Sequence, residues 1–232
     1  MLSASVPDSL PPPKDFTSYF CAHYDVDDQA GKLLAYVSII PALLIVHTAS
    51  RAYSRREFSD LFILLGLVVN EALARAIKHA IQEPRPSTCQ HLGVGMCDSF
   101  GMPSSHTQQM FFILALYGLL LQSRLARAPP LPAFDVVWGL MEVLVCGLSA
   151  VAVGLSRLYL GYHTSWQVAC GAVLGWLAGV AWYWLLLLAQ PHFQRLCRWY
   201  PAALLHAKDT LHVSNPLQLE RRLFTPAGGK AD

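Results

Sequence analysis

Three short polar clusters interrupt an otherwise apolar chain, each at the end of a long hydrophobic stretch. The first is Lys78-His79-Ala80-Ile81-Gln82-Glu83-Pro84-Arg85-Pro86. The second is Met102-Pro103-Ser104-Ser105-His106, and the third is Ser156-Arg157 followed by His163. Between them they supply three cations (Lys78, Arg85, Arg157) and two imidazoles (His106, His163). Such a set suits phosphoryl transfer. Charge spreads over the equatorial oxygens while nucleophile and leaving group stay in line, and without a metal the countercharge must come from side chains.

The residue types divide that work. An arginine fork can take two phosphate oxygens at once. Ser104 can donate a hydroxyl hydrogen bond. Ser104 to His106 are expected to open a helix whose free N–H groups and dipole favour an anion. Pro103 suits a helix start, where its missing N–H leaves nothing unsatisfied. One imidazole must be neutral to attack phosphorus, and the other protonated to give a proton to the departing oxygen. No Cys/His spacing resembles a zinc site, and no ligand cluster for a divalent ion stands out, so neither metal nor cofactor is expected.

The elements that must position these residues are membrane spans. Of 232 residues, 54% are hydrophobic and only 14% charged, against roughly 25% charged in a soluble domain. A net charge of +2 without a basic stripe gives no reason to expect nucleic-acid binding. Five segments are long enough to span at about 20 residues each: 31–50, 58–80, 103–123, 134–155 and 164–189. The second is mixed, because Asn70, Glu71, Arg75 and Lys78 follow its apolar half. Their helical spacing predicts one protein-facing side, with Glu71 and Arg75 paired four residues apart. The stretches 51–57, 84–102, 124–133 and the tail after Gln190 read as loops. The fold class is therefore all-α, a polytopic bundle of about five transmembrane helices. It divides into a segment 1–30, a membrane domain 31–190 and a tail 191–232. Residues 1–30 carry Pro11, Pro12, Pro13, Asp25, Asp27 and Asp28 and no early apolar core, so no signal peptide is read there.

Basic residues set the orientation. Arg51, Arg55, Arg56, Arg124, Arg127, Arg195, Arg198, Lys208, Arg221 and Arg222 fall on one set of loops, which is expected to be cytoplasmic. The acidic N-terminus and all three clusters then lie on the other side. An oxidising compartment there would allow Cys89 and Cys97 to bond, although a free pair is the default reading. Cys146 and Cys170 read as small core residues.

Taken singly, each cluster has an ordinary explanation. Lys78 and Arg85 read as snorkelling anchors, Pro103 to His106 as a helix cap, and His163 as an interfacial residue. Taken together they fall on one face, with no comparable polar cluster opposite, and that coincidence favours a site.

The ordered spacing Lys-x6-Arg-Pro, Pro-Ser-x-His and Ser-Arg-x5-His resembles the signature of the type 2 phosphatidic acid phosphatase superfamily, over a region of about 31–190. The resemblance implies a PAP2/chloroperoxidase-like bundle, a phosphohistidine intermediate and no metal. It casts His163 as nucleophile and His106 as general acid. Lys78, Arg85, Ser104, Ser105 and Arg157 become phosphate ligands. Two positions depart from the superfamily: Ser105 stands where Gly is usual, and Gln167 where an Asp usually orients the nucleophile. The surrounding residues, with Asn70-Glu71 and Tyr162-His163-Thr164, are similar to the dolichyl diphosphate phosphatases, which share that Ser and Gln. This implies a polyprenyl diphosphate substrate, hydrolysed in the endoplasmic reticulum with the site facing the lumen, to recycle the carrier lipid for N-glycosylation. A broader lipid or sugar phosphate phosphatase, and a non-catalytic lipid-binding protein, are the competing readings. If Gln167 orients His163, Gln167→Ala should lower kcat well beyond any change in KM. Gln167→Asp should keep substantial activity and move the acidic limb of the pH profile upward.

Overall fold

Five long apolar stretches have to bury their polar residues against one another and leave their apolar faces outside, and the fold follows that division. The computed structural model describes residues 27–91, 97, 99–126, 131–200 and 204–210. Among them are α1 (Gln29–Val37), α2 (Ile40–Arg55), α3 (Phe58–Ile81), α4 (Ser87–His91), α5 (Ser105–Leu125), α6 (Ala133–Tyr159) and α7 (Ser165–Cys197). The described residues form no strand, only an isolated bridge between Glu57 and Lys208. The segment read over 1–30 lies largely outside the described residues, as does most of the tail.

Each of the five expected spans is helical. The first is broken at Ser38–Ile39, because Pro41 in the first turn of α2 has no N–H to donate back into α1. Gln29–Arg55, Ala133–Tyr159 and Ser165–Cys197 are long and apolar enough to cross a bilayer by composition. Only 11% of the most apolar window of α6 is buried, and Val137, Leu144, Leu148, Val151 and Leu155 face outward. Apolar surface on this scale belongs in lipid, and the chain is a multi-pass membrane protein.

At the centre is α5, packed against α7, α6 and α3. Its close partner is α7, along a row of three glycines four residues apart. A Cβ on Gly171 would come within 2.6 Å of the Ser104 carbonyl oxygen, and Cβ atoms on Gly175 and Gly179 would collide with the carbonyls of Gln108 and Phe112. Only hydrogen at these positions lets the two backbones touch. Apolar contacts continue below, through Ile63 and Leu67 of α3, Phe112, Ile113, Leu116 and Leu120 of α5, and Tyr183, Leu186 and Phe193 of α7. Phe193 also explains why the tail does not begin at Gln190. It stacks on Phe58 at 5.9 Å, and this anchor holds α7 helical past Pro191 to Cys197.

Polar residues of α3 and α5 meet inside. Asn70 Nδ2 donates to Gln109 Oε1 (2.6 Å), Gln108 Nε2 to Asn70 Oδ1 (2.9 Å), and Gln109 Nε2 to the Leu67 carbonyl (3.0 Å). Such a network fixes the register of two helices that apolar packing alone would let slide. Of the four polar residues on α3, then, Asn70 faces the interior. Glu71 and Arg75 form the expected pair at 3.0 Å, on the rim of a cleft rather than in the core.

The opposite end differs from expectation, because it too holds a polar cluster. Glu57, 1% exposed, accepts from the Thr210 backbone N–H (2.9 Å) and hydroxyl (2.8 Å) and lies 3.8 Å from Lys208 Nζ. Arg51 pairs with Asp60 at 2.9 Å. Residues 204–210 thus return to the connection between α2 and α3.

Candidate active site

The C-terminal ends of α3 and α6, the N-terminal ends of α5 and α7, and the loops that follow α3 and α6 converge at one end of the bundle. They enclose a cleft of about 460 Å³ lined by Lys78, Arg85, Ser105, His106, Arg157 and His163, with Glu71, Arg75, His79, Ser99 and Phe100 toward its rim. Lys78 and His163, 85 positions apart in sequence, are brought together, as the three clusters predict.

Each cation is aimed without a carboxylate. Lys78 Nζ donates to the Phe100 carbonyl at 3.3 Å. Arg85 donates from Nε to the Ser99 carbonyl (3.0 Å) and from Nη1 to the Tyr162 carbonyl (3.2 Å). Arg157 is 1% exposed and its guanidinium lies 4.2 Å from the centre of the Tyr162 ring, while its Nε has no hydrogen-bond partner. Among the described residues none of the three forms an ion pair, so their charge remains available to an anion. An aromatic face is the support that steadies a buried guanidinium without neutralising it.

Tyr162 has its own support. It packs with Ala35, Leu160, Cys89 and Cys97, and the two cysteines are bonded to each other. This corrects the expectation of a free pair: α4, formed within a stretch read as loop, brings Cys89 within 5.6 Å of Cys97, Cα to Cα.

His163 sits in the turn between α6 and α7, almost fully buried. Its Nδ1 is 3.1 Å from Gln167 Oε1, and its Nε2 is 3.4 Å from Arg85 Nη1. Gln167, fully buried, has no freedom to flip. Its Nε2 donates to Glu83 Oε1 and to the Pro84 carbonyl, both at 2.9 Å, and these acceptors could not face an amide oxygen. Oε1 must therefore face His163 and accept from an Nδ1–H. Arg85 can only donate, which also requires an unprotonated Nε2. The neutral tautomer with its lone pair on Nε2 follows from both sides. Burial holds the His163 pKa well below the ordinary histidine range, and Arg157, Arg85 and Lys78 push the same way. The Gln167 hydrogen bond opposes them less strongly.

Gln167 also completes a capping box at the start of α7: Thr164 Oγ1 accepts from the Gln167 N–H, and Gln167 Oε1 from the Thr164 N–H.

The second cluster differs in detail from its sequence reading. Pro103 lies before the cap rather than in the first turn of α5. The N-cap is Ser104, held extended because its N–H donates to the Gln167 carbonyl (3.1 Å). Ser104 is fully buried, accepts from Thr107 Oγ1 (3.1 Å) and stands behind the cleft wall, whereas Ser105 and His106 line the cleft. No side chain caps α5, so the N–H groups of its first turn have no partner of that kind. Sequence reasoning missed the support of Tyr162 under Arg157 and the contact of Glu83 with Gln167, although both residues stand inside the quoted motifs.

Residues 60–190 match the model of the PAP2 superfamily. The chain belongs to that superfamily and is a phosphatase. It is 37% identical to Dolichyldiphosphatase 1 of Homo sapiens over 85% of this chain and 82% of that protein. It is 33% identical to Lipid phosphate phosphatase gamma of Arabidopsis thaliana, over 85% of each. In fold it resembles a PAP2-type phosphatidylglycerolphosphate phosphatase from Bacillus subtilis, with a TM-score of 0.52 and 21% identity over 75% of this chain and 82% of that one.

Proposed function

We propose that this protein hydrolyses dolichyl diphosphate to dolichyl phosphate and phosphate, at the lumenal face of the endoplasmic reticulum. The observation that carries the mechanism is the pinned tautomer of His163, whose free Nε2 lies beside Arg85 in the cationic cleft. Likeness to dolichyldiphosphatases over most of the chain supports the substrate.

His163 Nε2 attacks the terminal phosphorus. The bond to the bridging oxygen breaks, its electron pair goes to the departing dolichyl phosphate, and His106 supplies the proton. A water molecule, giving its proton to His106, then attacks the phosphohistidine, releasing phosphate and restoring neutral His163. Lys78, Arg85, Arg157 and the N–H groups at Ser105 hold the equatorial oxygens. Ser104 fixes the start of α5, and Gln167 orients His163. The released dolichyl phosphate returns to use as a carrier for N-glycosylation. The Cys89–Cys97 bond supports an oxidising compartment on the site's side, and the arginine-rich opposite loops support a cytosolic location for the other end.

Likeness to Lipid phosphate phosphatase gamma supports a second reading, a phosphatase of broader lipid range. Phosphate release by purified protein in detergent, with chelator present, separates the two. Dolichyl diphosphate should be turned over well ahead of dolichyl phosphate and phosphatidic acid; equal rates on all three would favour the broader enzyme. Terminal tags should place the N-terminus in the lumen and the C-terminus in the cytosol.

A further inference from the structure

We propose that Glu83 is a positioning residue for the reaction, supplying through the Gln167 amide the negative charge that backs the nucleophilic His163. The inference rests on the reading of His163 as nucleophile.

The observation is a chain of two hydrogen bonds. Glu83 Oε1 accepts from Gln167 Nε2 at 2.9 Å, and Gln167 Oε1 accepts from His163 Nδ1 at 3.1 Å. Glu83 stands beside a cleft holding Lys78, Arg85 and Arg157, yet among the described residues it forms no ion pair. Its carboxylate engages a neutral amide instead. A carboxylate is not needed merely to fasten that amide, since the Pro84 carbonyl already accepts from the same nitrogen. What Glu83 adds is charge.

Several contacts keep the chain in place. The Glu83 carbonyl accepts from the Gly101 N–H at 2.8 Å, tying the segments on either side of α4 together. Gly101 lies directly over the Gln167 amide, where a Cβ would come within 2.5 Å of Nε2. Gln167 is thereby clamped between Glu83, Pro84, Gly101 and the α7 cap.

Chemistry makes use of this. When Nε2 bonds to phosphorus, the imidazole acquires positive charge and still carries its Nδ1–H. A carboxylate on the far side of the amide polarises it, drawing electron density to Oε1 just where that hydrogen points. The superfamily's usual aspartate would act by direct contact; here the charge is one amide further back. The cleft that His163 lines also holds Lys78 from α3, Arg85 from the loop after it, His106 from α5 and Arg157 from α6, with Glu71, Arg75 and His79 of α3 toward its rim, while Glu83 reaches His163 only through Gln167 of α7. Of the two carboxylates, Glu71 is paired with Arg75, and Glu83 is the one hydrogen-bonded to the His163 partner Gln167.

The structure also alters the sequence-based expectation for Gln167→Asp. A carboxylate at 167 would lose the N–H groups that now satisfy Glu83 and the Pro84 carbonyl and would set two negative charges side by side. Gln167→Asp is therefore expected to lose activity while Glu83 remains charged.

The test is the steady-state pH profile of three full-length enzymes: wild type, Glu83→Gln, and the swap Glu83→Gln/Gln167→Glu. Glutamine at 83 keeps an acceptor for the Gln167 N–H, so the geometry is retained and the charge removed. Glu83→Gln should lower kcat by about tenfold with KM within about twofold, and move the acidic limb to lower pH, because His163 binds its proton less tightly. The swap puts the carboxylate directly against His163. It should recover activity over Glu83→Gln and carry the acidic limb above that of wild type. Limb position does not depend on how much protein is folded, so a poorly folding variant still answers the question. A Glu83→Gln enzyme with wild-type kcat and limb, or a loss of kcat with a fixed limb that the swap does not repair, would overturn the proposal while leaving His163 as nucleophile. Near-normal turnover by His163→Ala would overturn both.

Discussion

Both ends of the bundle gather arginine and lysine, but they treat the charge in opposite ways. At the end where α2 meets α3, Arg51 pairs with Asp60 at 2.9 Å, and Glu57 is buried against Thr210 and near Lys208. At the cleft, Lys78, Arg85 and Arg157 hold backbone carbonyls, a serine hydroxyl, the neutral His163 imidazole and an aromatic face, and among the described residues no carboxylate. One cluster is neutralised by the protein and acts as a clasp. The other leaves its countercharge to be supplied from outside, which is the condition for binding a phosphoryl group. A count of polar residues does not distinguish a site from a clasp; the pairing of the charges does.

The comparison breaks most readily at Arg157. Arg157→Ala should lower kcat/KM by on the order of 10³-fold, since it removes the most buried countercharge from the transition state. Arg157→Lys should recover only part of this, because lysine keeps the charge and loses both the fork and the stacking on Tyr162. His106→Ala should cost on the order of 10²-fold in kcat, and less for an aryl phosphate whose leaving group needs no proton. That difference between leaving groups separates an acid from a residue that merely lines the cleft.

A smaller effect concerns pH. The lowered pKa of His163 means that its neutral, attacking form persists as pH falls through the ordinary histidine range. The acidic limb of kcat/KM should therefore lie below pH ~6.5, the reference value for a free imidazole; a limb at or above that value would contradict the burial and the cationic surroundings. The smallest effect on activity should come from the opposite end. Glu57→Gln should leave kcat/KM within about twofold yet lower stability by roughly 2 kcal/mol, the scale of hydrogen bonds to a buried charge, seen as a lower Tm in detergent. Loss of activity at unchanged Tm would show that the two ends are not independent.

Much of the site was legible in the sequence because its chemistry is carried by residue types costly to place in a membrane. Lys78, Arg85, Arg157 and the two histidines stand out against apolar neighbours, and all five line one cleft. What was not legible depends on who touches whom. Ser104 and Ser105 are adjacent and alike in sequence, yet one is behind the wall and the other in it. Glu83 sits inside the first motif, but only folding reveals that it faces Gln167, 84 positions away. The row Gly171, Gly175, Gly179 went unread, because its meaning lies in the carbonyls of α5 that press against it. The clasp was hidden because Glu57 and Thr210 are 153 positions apart, at the start of α3 and in the tail.

The central claim is that His163 Nε2 becomes bonded to phosphorus. It is tested most directly by rapid alkaline quench of the enzyme with dolichyl diphosphate labelled in its terminal phosphate. The account predicts label on the protein that is stable to base, lost in acid, and absent from His163→Ala. Label that never reaches the protein, or that still forms in His163→Ala, would contradict it.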